Sequence, residues 1–179
     1  MFAFGHLIGP WILGKVYEKI SKKKLGHYSW FFLLFGALLP DIDFLFDWTL
    51  GTSLHRTFTH SFIFALLVPL ILWCSLCLFQ ASASANSSLF QEKKSLPLAI
   101  CAGILSHLLL DMLFSHGVPL FWPDMLRFAF SGINYYTSTH SFLDASDAHL
   151  RQVLKTTIAD MAMGTAWIFY LWWRRKIKF

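Results

Sequence analysis

His107 and Asp111 stand four residues apart in the run SHLLLD, inside an apolar stretch long enough to form a helix. At that spacing an imidazole and a carboxylate share one helix face and reach the same metal ion, or each other. Three further stretches carry the same residue types. FGH places His6 near the front, LLPDID supplies Asp41 and Asp43, and HRTFTHS supplies His55, Arg56 and His60. On a regular helix Asp41 and Asp43 diverge by about 200°. Either the helix breaks after Pro40 and turns both inward, or one carboxylate ligates while the other orients a histidine. His55 and His60, five apart, do not share a helical face; a connector position for His55 and a first-turn position for His60 let them converge. Imidazole nitrogen and carboxylate oxygen suit zinc, manganese or iron better than a thiolate-selecting ion. Zinc is the expected divalent metal, with manganese the alternative.

The elements that must position these groups are greasy. Of 179 residues, 56% are hydrophobic and 14% charged, against about 25% charged in a soluble domain. The 19 Phe and 8 Trp suit lipid contact and interfacial belts. The expected class is all-α, a polytopic transmembrane helical bundle of four to five spans forming a single domain over residues 1–179. The candidate segments are Phe2 to Tyr17, Tyr28 to Phe46, Phe58 to Phe79, Leu96 to Phe114 and Thr156 to Trp173. A span needs roughly 17 to 25 residues. The first segment is therefore marginal, and Gly9-Pro10 interrupts it; it is either a tilted span or a re-entrant helix. ASASANSSLFQEKKS reads as a surface loop. In the long connector from Ser115 to Lys155, Pro119, Trp122 and Pro123 suggest an ordered interfacial turn. Leu126 to Phe130 reads as a short interfacial helix, and DASDAHL as a capped helix start.

If the five segments cross in turn, 11 basic residues share one side and 4 the other. The rich side holds Lys15, Lys19, Lys22 to Lys24, Lys93, Lys94, Arg174, Arg175, Lys176 and Lys178; the poor side holds Arg56, Arg127, Arg151 and Lys155. The positive-inside rule makes the rich side cytoplasmic. This predicts a cell-membrane protein with its N-terminus outside and its C-terminus inside. His6, Asp41, Asp43, His55, His60, His107, Asp111 and His116 then all fall towards the outer end. Ionisable groups at that depth are costly unless paired, hydrated or metal-bound.

Other readings are weaker. The basic residues flank apolar segments and form no separate stripe, so no nucleic-acid site is expected. Cys74, Cys77 and Cys101 lie in apolar runs and read as buried small hydrophobes. No cleavable signal peptide is expected, because the basic cluster follows the first apolar run. His27 and His149 read as ordinary surface histidines, and His140, in STHSF, as a second-tier candidate beside His116.

The runs GALLPDID, HRTFTHS, SHLLLD and GVPLFWP, with the early Gly5-His6 and Gly9, together resemble the YdjM-type family of inner-membrane metal-dependent hydrolases. The resemblance implies a multi-pass membrane protein in which His6, Asp41, Asp43, His55, His60, His107 and Asp111 contribute to the site. FLFDW after Asp43 departs from the more polar, turn-like stretch usual in the family. The expected activity is metal-assisted hydrolysis of a phosphoester or lipid-like substrate near the outer face, the metal polarising a phosphoryl or acyl oxygen; a lipid or lipid-linked phosphoester fits the depth of the site. Asp41, Asp111, His6, His60 and His107 are the preferred ligands. Asp43 or His55 accepts a proton from water or orients a ligand, and Arg56 holds an anionic group by its forked donors. The alternatives are a metal or proton transporter and a non-catalytic metal-stabilised membrane protein. Confinement of the polar groups to one end weighs against transport.

Overall fold

In lipid a backbone amide has no solvent partner, so apolar runs of this length satisfy themselves as helices. The computed structural model describes residues 3–52, 56–82, 92–114, 117–124, 126–130, 132–135 and 147–174. Its helices are α1 (Ala3–Ser21), α2 (His27–Leu38), α3 (Asp43–Leu50), α4 (Phe62–Ser82), α5 (Leu96–Phe114) and α6 (Asp147–Trp173). Short 3-10 turns at Leu39–Ile42 and Phe58–His60 lead into α3 and α4. Among the described residues, three stretches are long and apolar enough to cross a membrane: His27–Asp47, Phe62–Phe79 and Leu96–Leu113. The chain is thus a multi-pass membrane protein with a helical bundle at its heart, and α1 and α6 pack beside these three.

The residue contacts give the helix directions. Gly14 of α1 meets Trp30 and Leu33, and Glu18 reaches Trp30, so α1 and α2 are antiparallel. Ser29 lies beside Ser95, and Ala37 beside His107, so α2 and α5 run parallel. Ala65 meets Cys101, while His60 before α4 meets His107, so α4 opposes α5. Phe4 packs on Gly164 and Trp11 on Trp167, so α6 runs parallel to α1. Down, up, down, up and down is the alternation that consecutive spans would have.

The core lies between α4 and α5, where Ala65, Ile100, Ile104 and Leu108 join Val118 and Leu120 from the following segment. The closest helix approach is α2 on α5. A Cβ on Gly103 would strike the Leu33 carbonyl, and one on Gly36 would meet the Ile100 carbonyl. Polar caps fix the other end of this pair. The Glu92 carboxylate accepts the Ser29 amide at 2.9 Å and the Ser29 hydroxyl at 2.7 Å, satisfying a first-turn donor of α2.

Three expectations need correction. Gly9-Pro10 does not break α1, which continues for 19 residues. Pro10 removes one amide donor, and packing on α2, α5 and α6 carries the helix across the defect. The segment from Leu126 is a strand, not a helix. β1 (Leu126–Ala129) pairs antiparallel with β2 (Gly132–Tyr135), so the fold is not purely α. Phe128 also exchanges two backbone hydrogen bonds with Val118, at 3.0 and 3.1 Å. Those remote partners override the local preference. Gly117 permits the approach: its φ is +90°, and a Cβ there would lie 2.8 Å from the Phe128 carbonyl oxygen. Finally, Cys74 and Cys77 are exposed rather than buried, and Cys101 is half-buried. The Cys101 thiol donates to the Ala65 carbonyl at 3.5 Å, the carbonyl that Pro69 of α4 cannot serve for want of an N–H.

Candidate metal centre

The break in the second apolar segment builds the site. Pro40 has no amide, and the chain tightens there from α2 into the 3-10 turn before resuming as α3. At this point the Ala37 carbonyl lies 2.7 Å from Nδ1 of His107. A carbonyl only accepts, so His107 Nδ1 carries the proton and Nε2 keeps its lone pair. The same turn separates Asp41 from Asp43. Asp41 Oδ1 stands 3.5 Å from Nε2 of both His60 and His107. Asp43 instead lies behind the His60 ring, with Oδ2 3.4 Å from Nδ1.

Asp43 organises the loop before α4. It accepts the Arg56 amide at 3.2 Å, and the Thr59 hydroxyl donates to the same oxygen. Thr59 Oγ1, its proton directed to Asp43, lies 3.0 Å from His60 Nδ1 and serves there as acceptor. As a neutral imidazole, His60 then also presents a bare Nε2. The two Nε2 atoms of His60 and His107 face each other at 3.2 Å. Arg56 adopts a left-handed backbone, φ 59°, a conformation uncommon outside glycine. Its Nε lies 3.3 Å from Asp111 Oδ2 as an ion pair, without a hydrogen bond between the two atoms.

Four atoms converge: Asp41 Oδ1, His60 Nε2, His107 Nε2 and Asp111 Oδ2. Five of their separations are 3.2, 3.5, 3.5, 3.7 and 4.0 Å. Ligands about 2.0–2.2 Å from a tetrahedral ion are spaced roughly 3.3–3.6 Å apart, so Asp41, His60 and His107 stand close to ligand spacing for a small divalent cation, and Asp111 Oδ2 stands slightly wider. His6 flanks it. Its Nε2 is 3.5 Å from Asp111 Oδ1, and its ring stacks on His107 at 3.8 Å. Both His6 ring nitrogens are buried and make no hydrogen bond among the described residues. The candidate donors form two overlapping groups, His6–Asp41–His107 and His60–His107–Asp111. They share His107, whose single free nitrogen cannot serve two ions. Around the site, Asp41, Asp43 and Asp111 outweigh Arg56 by two negative charges, which a divalent cation balances.

His6, Asp43, His60, His107 and Asp111 are buried. The Asp41 side chain is 30% exposed and that of Arg56 20%, so the site opens on their side. Thus His6, Asp41, Asp43, Arg56, His60, His107 and Asp111 are brought together. His55, His116 and His140 lie outside the described residues. His27 is exposed, far from this end. Sequence reasoning did not single out Thr59, the Ala37 carbonyl or Asp160. Asp160 accepts the Phe4 and Gly5 amides beside His6; its one signal is an acid inside an apolar run.

A family model, that of the YdjM inner membrane proteins, matches residues 1–177. No curated protein and no solved structure matches the chain.

Proposed function

The chain belongs to the YdjM inner membrane protein family, and from that premise we propose that it is a membrane-bound metal-dependent hydrolase. Its substrate is a phosphoester in a membrane lipid or lipid-linked compound, met at the outer face. In this reading α1 and α6 also cross, giving five spans with the N-terminus outside and the C-terminus in the cytoplasm. The alternating helix directions and the basic residues near the opposite end support that layout.

One observation carries the metal: the Nε2 atoms of His60 and His107 face each other at 3.2 Å while the Nδ1 of each ring lies beside an acceptor, so that in neutral rings both Nε2 lone pairs are available to an ion. Asp41, His60, His107 and Asp111 would hold the ion, and His6 flanks them as a fifth donor. Zinc suits this donor set, with manganese the alternative. When bound, such an ion acidifies water and polarises a phosphoryl oxygen. The chain's own groups do the rest. The Ala37 carbonyl and Asp43 fix the tautomers of His107 and His60. Asp43, on the far side of the His60 ring from Nε2, orients that ring. Arg56 Nε neutralises Asp111, while the rest of its guanidinium offers donors on the open side for an anionic head group. Ile42, Phe44, Leu45 and Phe46, which adjoin Asp41 and Asp43 in the chain, are exposed apolar side chains, which suits a substrate arriving from lipid.

The test is elemental analysis of the detergent-purified chain beside His107→Ala, followed by a phosphoester and lipid screen under the metal found. One equivalent of zinc or manganese, lost in the variant, is expected, together with turnover that needs that metal. Folded wild-type protein that binds neither ion after reconstitution would overturn the reading. A tightly held ion with no turnover across the screen would leave a metal-stabilised membrane protein.

A further inference from the structure

Each of the two central histidines is steered by a hydrogen bond to its second ring nitrogen. His6 is not: both its nitrogens lack a hydrogen bond among the described residues. Stacking on His107, the 3.5 Å approach of Nε2 to Asp111 Oδ1 and the position of its own backbone are what hold the ring. That backbone is the first turn of α1, and α6 anchors it. The Asp160 carboxylate, nearly buried at 7% exposure, accepts the Gly5 amide at 2.8 Å through one oxygen and the Phe4 amide at 3.1 Å through the other. These amides belong to the first turn, where a helix has donors without intrahelical acceptors. The positive end of the helix dipole adds to the attraction. Burying an acid in an apolar helix is costly, and these two bonds are what compensate it. One turn on, Gly164 receives the Phe4 ring; any Cβ at that position would strike it.

From this we infer that Asp160 is a positioning residue: by clamping the Phe4 and Gly5 amides it sets the height and rotation at which His6 enters the metal centre. It acts on His6 as the Ala37 carbonyl acts on His107 and Asp43 on His60, but through the backbone and from another helix. The inference rests on the proposed metal site for its functional meaning, and on the hydrogen bonds alone for its structural meaning.

The experiment uses the full chain in detergent, with Co2+ as a spectroscopic probe, in wild type, His6→Ala, Asp160→Ala, Asp160→Asn and the His6→Ala/Asp160→Ala double variant. Asp160→Ala should weaken Co2+ binding by about 10- to 100-fold, as loss of a ligand's supporting contact does. It should also shift the visible bands in the same sense as His6→Ala. The double variant should bind no more weakly than His6→Ala. Asp160→Asn, which keeps one acceptor oxygen, should recover part of the loss. Additive losses with an unchanged Co2+ spectrum in Asp160→Ala would mean a merely structural role and overturn the inference.

A metal-free measurement separates the two layers. In the apo protein Asp160→Ala should accelerate hydrogen exchange at Phe4 and Gly5 and move the His6 ring resonances. If His6→Ala leaves Co2+ binding and spectrum untouched, His6 is no ligand and that part of the site reading fails. The positioning inference then stands or falls on the apo measurements. Unchanged exchange and unchanged His6 resonances would sink it whatever the metal does.

Discussion

At the residue scale the site turns on which imidazole nitrogen is bare. His107 must donate through Nδ1 because a carbonyl faces it, and His60 through Nδ1 because Asp43 and Thr59 face it. With both rings neutral, the two bare nitrogens converge, and in surroundings of low dielectric their mutual repulsion is poorly screened. A cation bound between them would convert that repulsion into coordination. Asp43 thereby earns a role distinct from Asp41, although the two are only two residues apart. Asp43→Asn keeps the shape and loses the charge behind His60. It should weaken metal binding by about 10- to 100-fold, whereas His60→Ala should abolish stoichiometric binding. Competition against a chromophoric chelator resolves the two. Wild-type affinity in Asp43→Asn would mean that His60 needs no carboxylate to orient it. The pairing of His107 with Asp111 was legible in the sequence because a helix fixes an i, i+4 geometry in advance. The division of labour between Asp41 and Asp43 was not. It depends on how far the chain unwinds at Pro40, and spacing leaves that open.

At the element scale the central pair is α2 on α5, and its closeness is what lets a backbone carbonyl of one steer a histidine of the other. Gly36 and Gly103 permit this approach. Gly103→Ala places a methyl against the Leu33 carbonyl, which no side-chain rotation can relieve. It should cost about 1–3 kcal/mol and lengthen the His107–Ala37 contact. The expected result is a lower thermal midpoint together with weaker metal binding, although every ligand is still present. Thermal unfolding followed with and without metal reads both; a variant with normal metal affinity would show that the helices can part without disturbing His107. The α2 and α5 runs were visible as apolar segments of spanning length. The β-hairpin was not, because β1 owes its form to Val118 and β2 rather than to its own residues. Asp160 escaped notice for a similar reason. Its partners are backbone amides 155 and 156 residues away, and nothing in the sequence around it records them.

At the scale of the whole molecule, the burial pattern is inverted relative to a soluble protein. Large side chains such as Leu66, Leu78, Leu98 and Phe79 are more than half exposed, while His6, His60, His107 and Asp111 are buried. Lipid resolves the first half of that inversion, and the proposed cation would resolve the second. The helix directions then require the site and the α1–α2 connection to lie at opposite ends. Thr52, after α3, stands near the site end; Lys23, between α1 and α2, stands at the basic end, and both are exposed. The positive-inside rule assigns Lys23 to the cytoplasm. With Cys74, Cys77 and Cys101 replaced by alanine, single Thr52→Cys and Lys23→Cys variants test this in intact cells. A membrane-impermeant maleimide should label Thr52→Cys at once and Lys23→Cys only after permeabilisation. The reverse pattern would put the site on the cytoplasmic face and redirect the substrate search to the inner leaflet. Labelling of both from outside would mean that the stretch from α2 to α3 does not cross the membrane, and the five-span layout would fall with it.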